Sequence, residues 1–390
     1  MVVAITGITG LLGRNILFEL LRQHRQRLQE LKVFAFGKAQ GGKSLQARIL
    51  DMMREDGAYY LGTADISPFA DRVTAIGWQL EEEGLGISSE DMEMLRRTPI
   101  GLFIHAAATV DFRDSPNVRD ALQRVNVTGT ARVAALCEKL QIGQFAFIST
   151  AYACGMEEGV ILPGTTNFEA GFRNPYERSK LEAEVLVREF WSKGKLPQIK
   201  IFRPSTICGR LLEPLPGQTN KFDIFYAWLA FFLRLKAKKL GHPGYGEFAD
   251  IDIRVCFNPN GGLNIIPADY AAKALLEVCR SGTAEQDFHL VSPKESPNQM
   301  GIPLMFDFIK VALPPFQDSV PEQLSPLERL YYEKSVGRIY TPYITSNTMD
   351  FRVDSLLGNL PEGFPECPFV GPSQFVTLLE FARKHNFGIS

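Results

Sequence analysis

The 390-residue chain is predicted to be an α/β protein: a doubly wound parallel sheet with a smaller, mostly helical C-terminal lobe. Two observations predict this. Short, fully apolar runs alternate with longer amphipathic ones, as expected for strands covered on both faces by helices. A glycine-rich loop follows the first apolar run directly and opens a helix.

Val2–Ile5 is the first strand and Asn15–Gln26 a helix. Lys32–Phe36 is the next strand and Ser44–Arg54 a helix. Val73–Ile76, Leu102–His105, Gln144–Ile148 and Ile199–Phe202 continue the sheet, and Asn117–Lys139 and Tyr176–Trp191 are long helices. After about residue 210 the pattern loosens into the Pro- and Gly-rich pieces 213–218, 241–246 and 258–262, with helices predicted at Pro326–Lys334 and Pro372–Lys384. The expected division is 1–210, with 257–295 returning to it, and a second lobe of 211–256 and 296–390.

Composition narrows the function classes. The net charge is −2 without a long basic run, which argues against a nucleic-acid surface. The six scattered cysteines contain no CxxC and fit buried thiols in a reducing, cytoplasmic setting; no metal cluster is expected. The apolar N-terminus has no basic n-region and reads as a strand. The longest apolar stretch, 222-FDIFYAWLAFFLRL-235, is too short to span a bilayer and carries Asp223 and Arg234. It is expected to be a half-buried helix; Lys236, Lys238 and Lys239 after it leave a peripheral membrane contact open.

The loop 6-TGITGLLG-13 is a variant of the G-x-G-x-x-G fingerprint of Rossmann-type domains. Gly7 allows the tight turn, Gly10 lets backbone approach a pyrophosphate, and Gly13 permits close helix–strand packing. Thr6, Thr9 and Leu11 complete the candidate phosphate loop, with a helix N-terminus facing the phosphates. An NAD site would place an acid after the second strand. The sequence 33-VFAFGKAQGGKSLQAR-48 has none, and Lys38, Lys43 and Arg48 suit the 2′-phosphate of NADP(H). The small residues Ala106, Ala107 and Ala108 would admit the cofactor ribose.

In 174-NPYERSKLEAE-184, Tyr176 and Lys180 share one helix face, one turn apart. A nearby ammonium favours phenolate, so the pair predicts a tyrosine of lowered pKa serving as acid/base. Thr150, closing 147-FIST-150, puts a hydroxyl at the carboxyl edge of the sheet, where ligands bind.

With TGITGLLG, 125-VNVTGT-130, 148-ISTAYACG-155, YERSK and 203-RPSTICG-209, the chain resembles the extended short-chain dehydrogenase/reductase superfamily. The resemblance implies Thr150 as the triad hydroxyl, Tyr176 as acid/base, Lys180 as its partner and a nicotinamide-ribose ligand, and Asn126 as the asparagine linked to that lysine through water. It puts Pro204, Ser205 and Thr206 near the nicotinamide. The segments AFGKA, 84-GLGIS-88, HAAATVDF, NPYERSKLEAE, 253-IRVCFNPNGGLNIIPADYAAKAL-275 and 340-YTPYITSNTMDF-351 resemble the thioester-reductase and fatty acyl-CoA reductase branch. That branch implies NADPH-dependent reduction of an acyl thioester, carried by CoA or acyl carrier protein, to aldehyde and sometimes alcohol. The 222–235 segment would then line an acyl tunnel. The chain departs from the branch at Gly77-Trp78-Gln79, where Gly-Asp-Leu is usual, and Trp78 or Gln79 would meet adenine instead. Sugar-nucleotide epimerases and dehydratases, hydroxysteroid-type dehydrogenases and a non-catalytic NADP-binding regulator are the competing readings.

Overall fold

The computed structural model describes residues 1–242 and 244–389; Pro243, within the 241–246 stretch, and Ser390 lie outside the described residues. Seven strands form one sheet: β1 (Val2–Thr6), β2 (Lys32–Gly37), β3 (Val73–Gly77), β4 (Leu102–His105), β5 (Gln144–Ile148), β6 (Ile199–Pro204) and β7 (Asp287–Leu290). Their order is β7-β6-β5-β4-β1-β2-β3, with every pairing parallel. The order reverses between β1 and β4, where a doubly wound sheet opens its ligand crevice.

Both faces are buried because alternate residues of each strand feed different cores. Val3 and Ile5 pack with α1 (Leu11–Gln23) and α2 (Leu45–Met52). Between them, Ala4 joins the opposite core with Phe34, Phe103 and Phe145.

Across the sheet, α3 (Pro116–Leu122) and α4 (Gly129–Leu140) are joined by a π-turn, Gln123–Thr128. The sequence predicts one unbroken helix there; the wide turn instead carries Asn126 inward. The next helix, α5 (Pro175–Ser192), starts sharply. Pro175 occupies its first turn, and the Asn174 side chain accepts from the Glu177 N–H at 3.1 Å.

A second core lies beyond the sheet edge. It joins α6 (Phe225–Leu240), α8 (Asn298–Phe308), α9 (Pro326–Lys334), α10 (Val336–Ile344) and α11 (Pro372–Lys384), while α7 (Ala268–Arg280) returns to pack on α1. The helices α8 and α10 escaped the sequence reading because Pro303 and Pro342 sit inside them. The 222–235 stretch is helical from Phe225 and continues to Leu240. Lys236 is buried with its Nζ on the Ile309 carbonyl at 2.8 Å, so it contributes no surface charge. Among the described residues no helix is long and apolar enough to cross a membrane. All six cysteines are free.

Candidate functional site

The loop after β1 is shaped by three glycines. Gly7 has φ +69°, and a Cβ there would stand 2.8 Å from the Ala106 backbone. A Cβ on Gly13 would lie 2.3 Å from the Gly7 carbonyl oxygen, and one on Gly10 at 3.1 Å. Only at this closeness does the start of α1, whose N-terminal amides have no side-chain cap, face the crevice. Thr6 holds the two crevice walls together. Its buried Oγ1 accepts from the Ala106 and Ala107 N–H groups at 3.0 Å and meets His105 Nδ1 at 2.8 Å. With its hydroxyl so committed, Thr6 braces the two walls.

At the outer end, Lys38 is exposed. Arg48 is half-buried and donates to the Lys38 carbonyl at 2.8 Å and to Thr9 Oγ1 at 3.1 Å. Lys43 is taken up by Asp51. Arg14 is a cation the sequence reading missed, although it directly follows Gly13. It donates to the Thr9 carbonyl at 3.2 Å and pairs with Asp56, and burial lowers its pKa to about 10. Trp78 is core, edge-on to Phe36 and His105, so of the two expected adenine neighbours only Gln79 stays exposed.

At the inner end, Thr150, Tyr176 and Lys180 line one cavity of about 380 Å³ together with Gly7, Gly10, Leu11, Gly13, Ala106, Ala108, Pro204, Ser205 and Thr206. Lys180 is buried, its Nζ 4.2 Å from the Phe147 ring centre, and desolvation brings its pKa down to about 7. The expected lowering of the tyrosine does not follow. Burial first, then the negative charges of Glu177 and Asp223, push the Tyr176 phenol above its usual range. An ammonium itself weakened by burial does not offset that desolvation.

Thr150 Oγ1 accepts from the Tyr152 N–H at 3.3 Å and reaches the Pro204 carbonyl only at 3.5 Å. Its hydroxyl is therefore weakly held. The Ser149 and Ser205 hydroxyls are buried without a protein partner, and both residues line the cavity. Buried hydroxyls left unpaired in this way are what a polar ligand would satisfy. Asn126 lies behind the wall: its Nδ2 donates to Ser179 Oγ and the Thr109 carbonyl at 3.0 Å, and its Oδ1 accepts from the Thr109 N–H at 2.8 Å. It anchors α5 and the Ala106–Ala108 loop to each other. Thr9, Ala107, Lys38 and Arg48 likewise stand outside the cavity wall.

A polar frame from distant sequence encloses Tyr176. The Tyr343 hydroxyl donates to Glu177 Oε1 at 2.7 Å, and Asn174 Nδ2 donates to Tyr343 at 2.6 Å. The Phe112 ring stacks obliquely on both Tyr176 and Tyr343. Tyr343 sits inside 340–351, already singled out, but nothing local marked its partner. The same cavity is also lined by the apolar side chains of Phe225, Trp228, Ile302, Met305 and Phe375, with Lys221, Asp223, Ser296 and Asn298 among its polar ones.

A sequence model of the family described as "Male sterility protein" matches residues 5–275. The chain belongs to that family. Within the male sterility family, human fatty acyl-CoA reductase 1 is 27% identical over 248 residues, covering 57% of this chain and 46% of the relative. The Xenopus laevis fatty acyl-CoA reductase 1 is 29% identical with the same coverage. The chain spans about half the length of the curated relatives it matches. Among solved structures, the terminal R domain of the myxalamid PKS-NRPS pathway superposes with TM-score 0.72 at 20% identity, covering 99% of this chain and 91% of that one. UDP-glucose 4-epimerase from Bifidobacterium longum superposes with TM-score 0.64 at 15% identity over 100% of both chains. At such identities the shared property is the fold: both the thioester-type and the sugar-nucleotide-type enzymes have it.

Proposed function

We propose that this chain is a nicotinamide-dependent oxidoreductase that reduces an acyl thioester, presented on CoA or an acyl carrier protein, to an aldehyde and in some cases onward to an alcohol. The observation that carries the reading is the single cavity that runs from Gly7, Tyr176 and Lys180 into a wall of Phe225, Trp228, Ile302, Met305 and Phe375. A sugar nucleotide would leave that apolar end unmatched, whereas an acyl chain fills it. The relatives named fatty acyl-CoA reductase support the same substrate class.

The dinucleotide fits the residues present. The loop glycines leave room for a pyrophosphate at the start of α1, and the unpaired Ser149 and Ser205 hydroxyls wait for polar partners. Lys38, with Arg48 bracing its loop, favours NADP(H) over NAD(H). When bound, the reduced nicotinamide supplies hydride to the thioester carbonyl carbon. Thr150 and Tyr176 hydrogen-bond the carbonyl oxygen and stabilise its developing charge. Tyr176, kept protonated by its burial, gives up its proton to that oxygen. Collapse of the hemithioacetal then expels the thiol. Lys180 orients the ribose. Asn126 positions α5 through Ser179. On this reading 1–210 with 257–295 holds the dinucleotide, and 211–256 with 296–390 holds the acyl group.

The test is to incubate purified protein with NADPH or NADH and a panel of acyl-CoA thioesters, following absorbance at the nicotinamide band and identifying products by mass spectrometry. Oxidation coupled to aldehyde or alcohol supports the proposal. Bound cofactor with no oxidation, on CoA and carrier-protein thioesters alike, sinks it.

A further inference from the structure

One aromatic side chain on the apolar wall of the cavity is rigidly held. Trp228, on α6, lines that wall and is 2% exposed. Its indole N–H donates to the Tyr331 hydroxyl at 2.8 Å. Its ring lies edge-on to Phe306 at 5.1 Å and to Phe232 at 6.0 Å. Phe232, Phe306 and Tyr331, which hold the indole, do not line the cavity themselves. An indole held by one hydrogen bond and two edge-on rings has no alternative rotamer to retreat into without leaving a buried N–H unpaired. Met305, in the same apolar core, also lines the cavity.

We propose that Trp228 is the stop that sets acyl chain length, so that the chain takes medium-length acyl groups whose terminal methyl meets the indole, and longer ones are excluded. The inference rests on the thioester-reductase reading for the identity of the ligand. The cavity of about 380 Å³ also has to admit the nicotinamide end of the cofactor, so the acyl chain has only part of that volume.

The experiment measures binding, without turnover, of straight-chain primary alcohols from butanol to tetradecanol by calorimetry. Below the stop each added methylene strengthens binding roughly fourfold. At the stop the gain ends. In Trp228→Ala the break moves to a longer alcohol, by about two to four carbons, because the side chain removed is replaced by ligand. In Trp228→Phe, which keeps most of the bulk, it stays near the wild-type position. In Met305→Phe, which adds bulk to the same apolar wall, it moves to a shorter alcohol. A break that stays in place in both Trp228→Ala and Met305→Phe overturns the proposal, as does a wild-type series with no break. Should Trp228→Ala not fold, by loss of its cooperative thermal transition, Met305→Phe decides alone. Alcohol binding with the expected breaks, in a protein that reduces no thioester, would refute the reductase reading and leave the chain stop standing.

Discussion

Tyr343 donates its hydroxyl to Glu177 Oε1 at 2.7 Å, which ties α10 to the first turn of α5, one residue from Tyr176. Glu177 is fully buried, and desolvation raises its pKa even beside Arg173. The bond therefore satisfies a carboxylate that has little water to turn to. Removing it with Tyr343→Phe should cost about 1–3 kcal/mol, the usual penalty of an unpaired buried polar group. Urea unfolding would read this out, together with turnover on the best thioester. A wild-type midpoint would mean the bond is incidental.

Tyr176→Phe removes the phenolic proton that the proposed reaction delivers to the carbonyl oxygen. Turnover should fall by about 10²- to 10⁴-fold while dinucleotide affinity stays nearly unchanged. Residual turnover close to wild type would move the proton donor elsewhere in the cavity.

Gly13→Ala places a methyl 2.3 Å from the Gly7 carbonyl oxygen. Backbone cannot yield there as a flexible side chain would, so dinucleotide binding should be lost, with a stability cost of roughly 1–3 kcal/mol. Gly10→Ala, at 3.1 Å, should weaken binding less. Equal affinities in the two variants would contradict the close-packing role of Gly13.

Lys38→Glu and Arg48→Ala separate charge from scaffolding. Lys38 is exposed, so reversing its charge should weaken NADPH by about tenfold or more relative to NADH. Arg48 braces the loop through the Lys38 carbonyl and the Thr9 hydroxyl, so its loss should weaken both cofactors. Equal effects of Lys38→Glu on the two cofactors would remove the argument for a 2′-phosphate.

Lys180 makes stability depend on pH. Its pKa is about 7 in the folded chain, against 10.5 for a free lysine side chain. Between those values the unfolded chain binds a proton that the folded chain does not, so this group makes stability rise with pH across that window. Below about pH 7 both states are protonated and its destabilising effect is constant. The buried cysteines act oppositely, since their raised pKa values cost stability as pH climbs past the free-thiol range. The informative quantity is the difference between wild type and Lys180→Met, measured by thermal unfolding without cofactor. The gap should change in favour of the wild type as pH rises from 7 to 9.5. A gap independent of pH would place the ammonium in a better-solvated position than its burial implies.

Much of the half that carries the seven-stranded sheet was legible because its signals are local. Strand β1, three glycines and α1 are consecutive, and the spacing of Tyr176 and Lys180 is a property of a single helix. The lobe after residue 210 was less legible. Pro303 and Pro342 disguise α8 and α10, and the π-turn at Gln123–Thr128 differs from a helix by one hydrogen-bond step that side-chain periodicity does not register.

The chain's order of residues alone thus determined the doubly wound sheet, the glycine-rich loop after β1 and the placing of a hydroxyl, a phenol and an amine on neighbouring elements. Periodicity and glycine stereochemistry act over a few residues, and that is enough for these features. Only the tertiary structure decided that the Thr6 hydroxyl is a brace, that Trp78 is core, that Tyr343 reaches across 166 residues to Glu177, and that Tyr176 is raised rather than lowered in pKa. Each of these depends on what surrounds a group in space. Desolvation and long-range hydrogen bonds are set by burial among distant segments, and no local spacing encodes them.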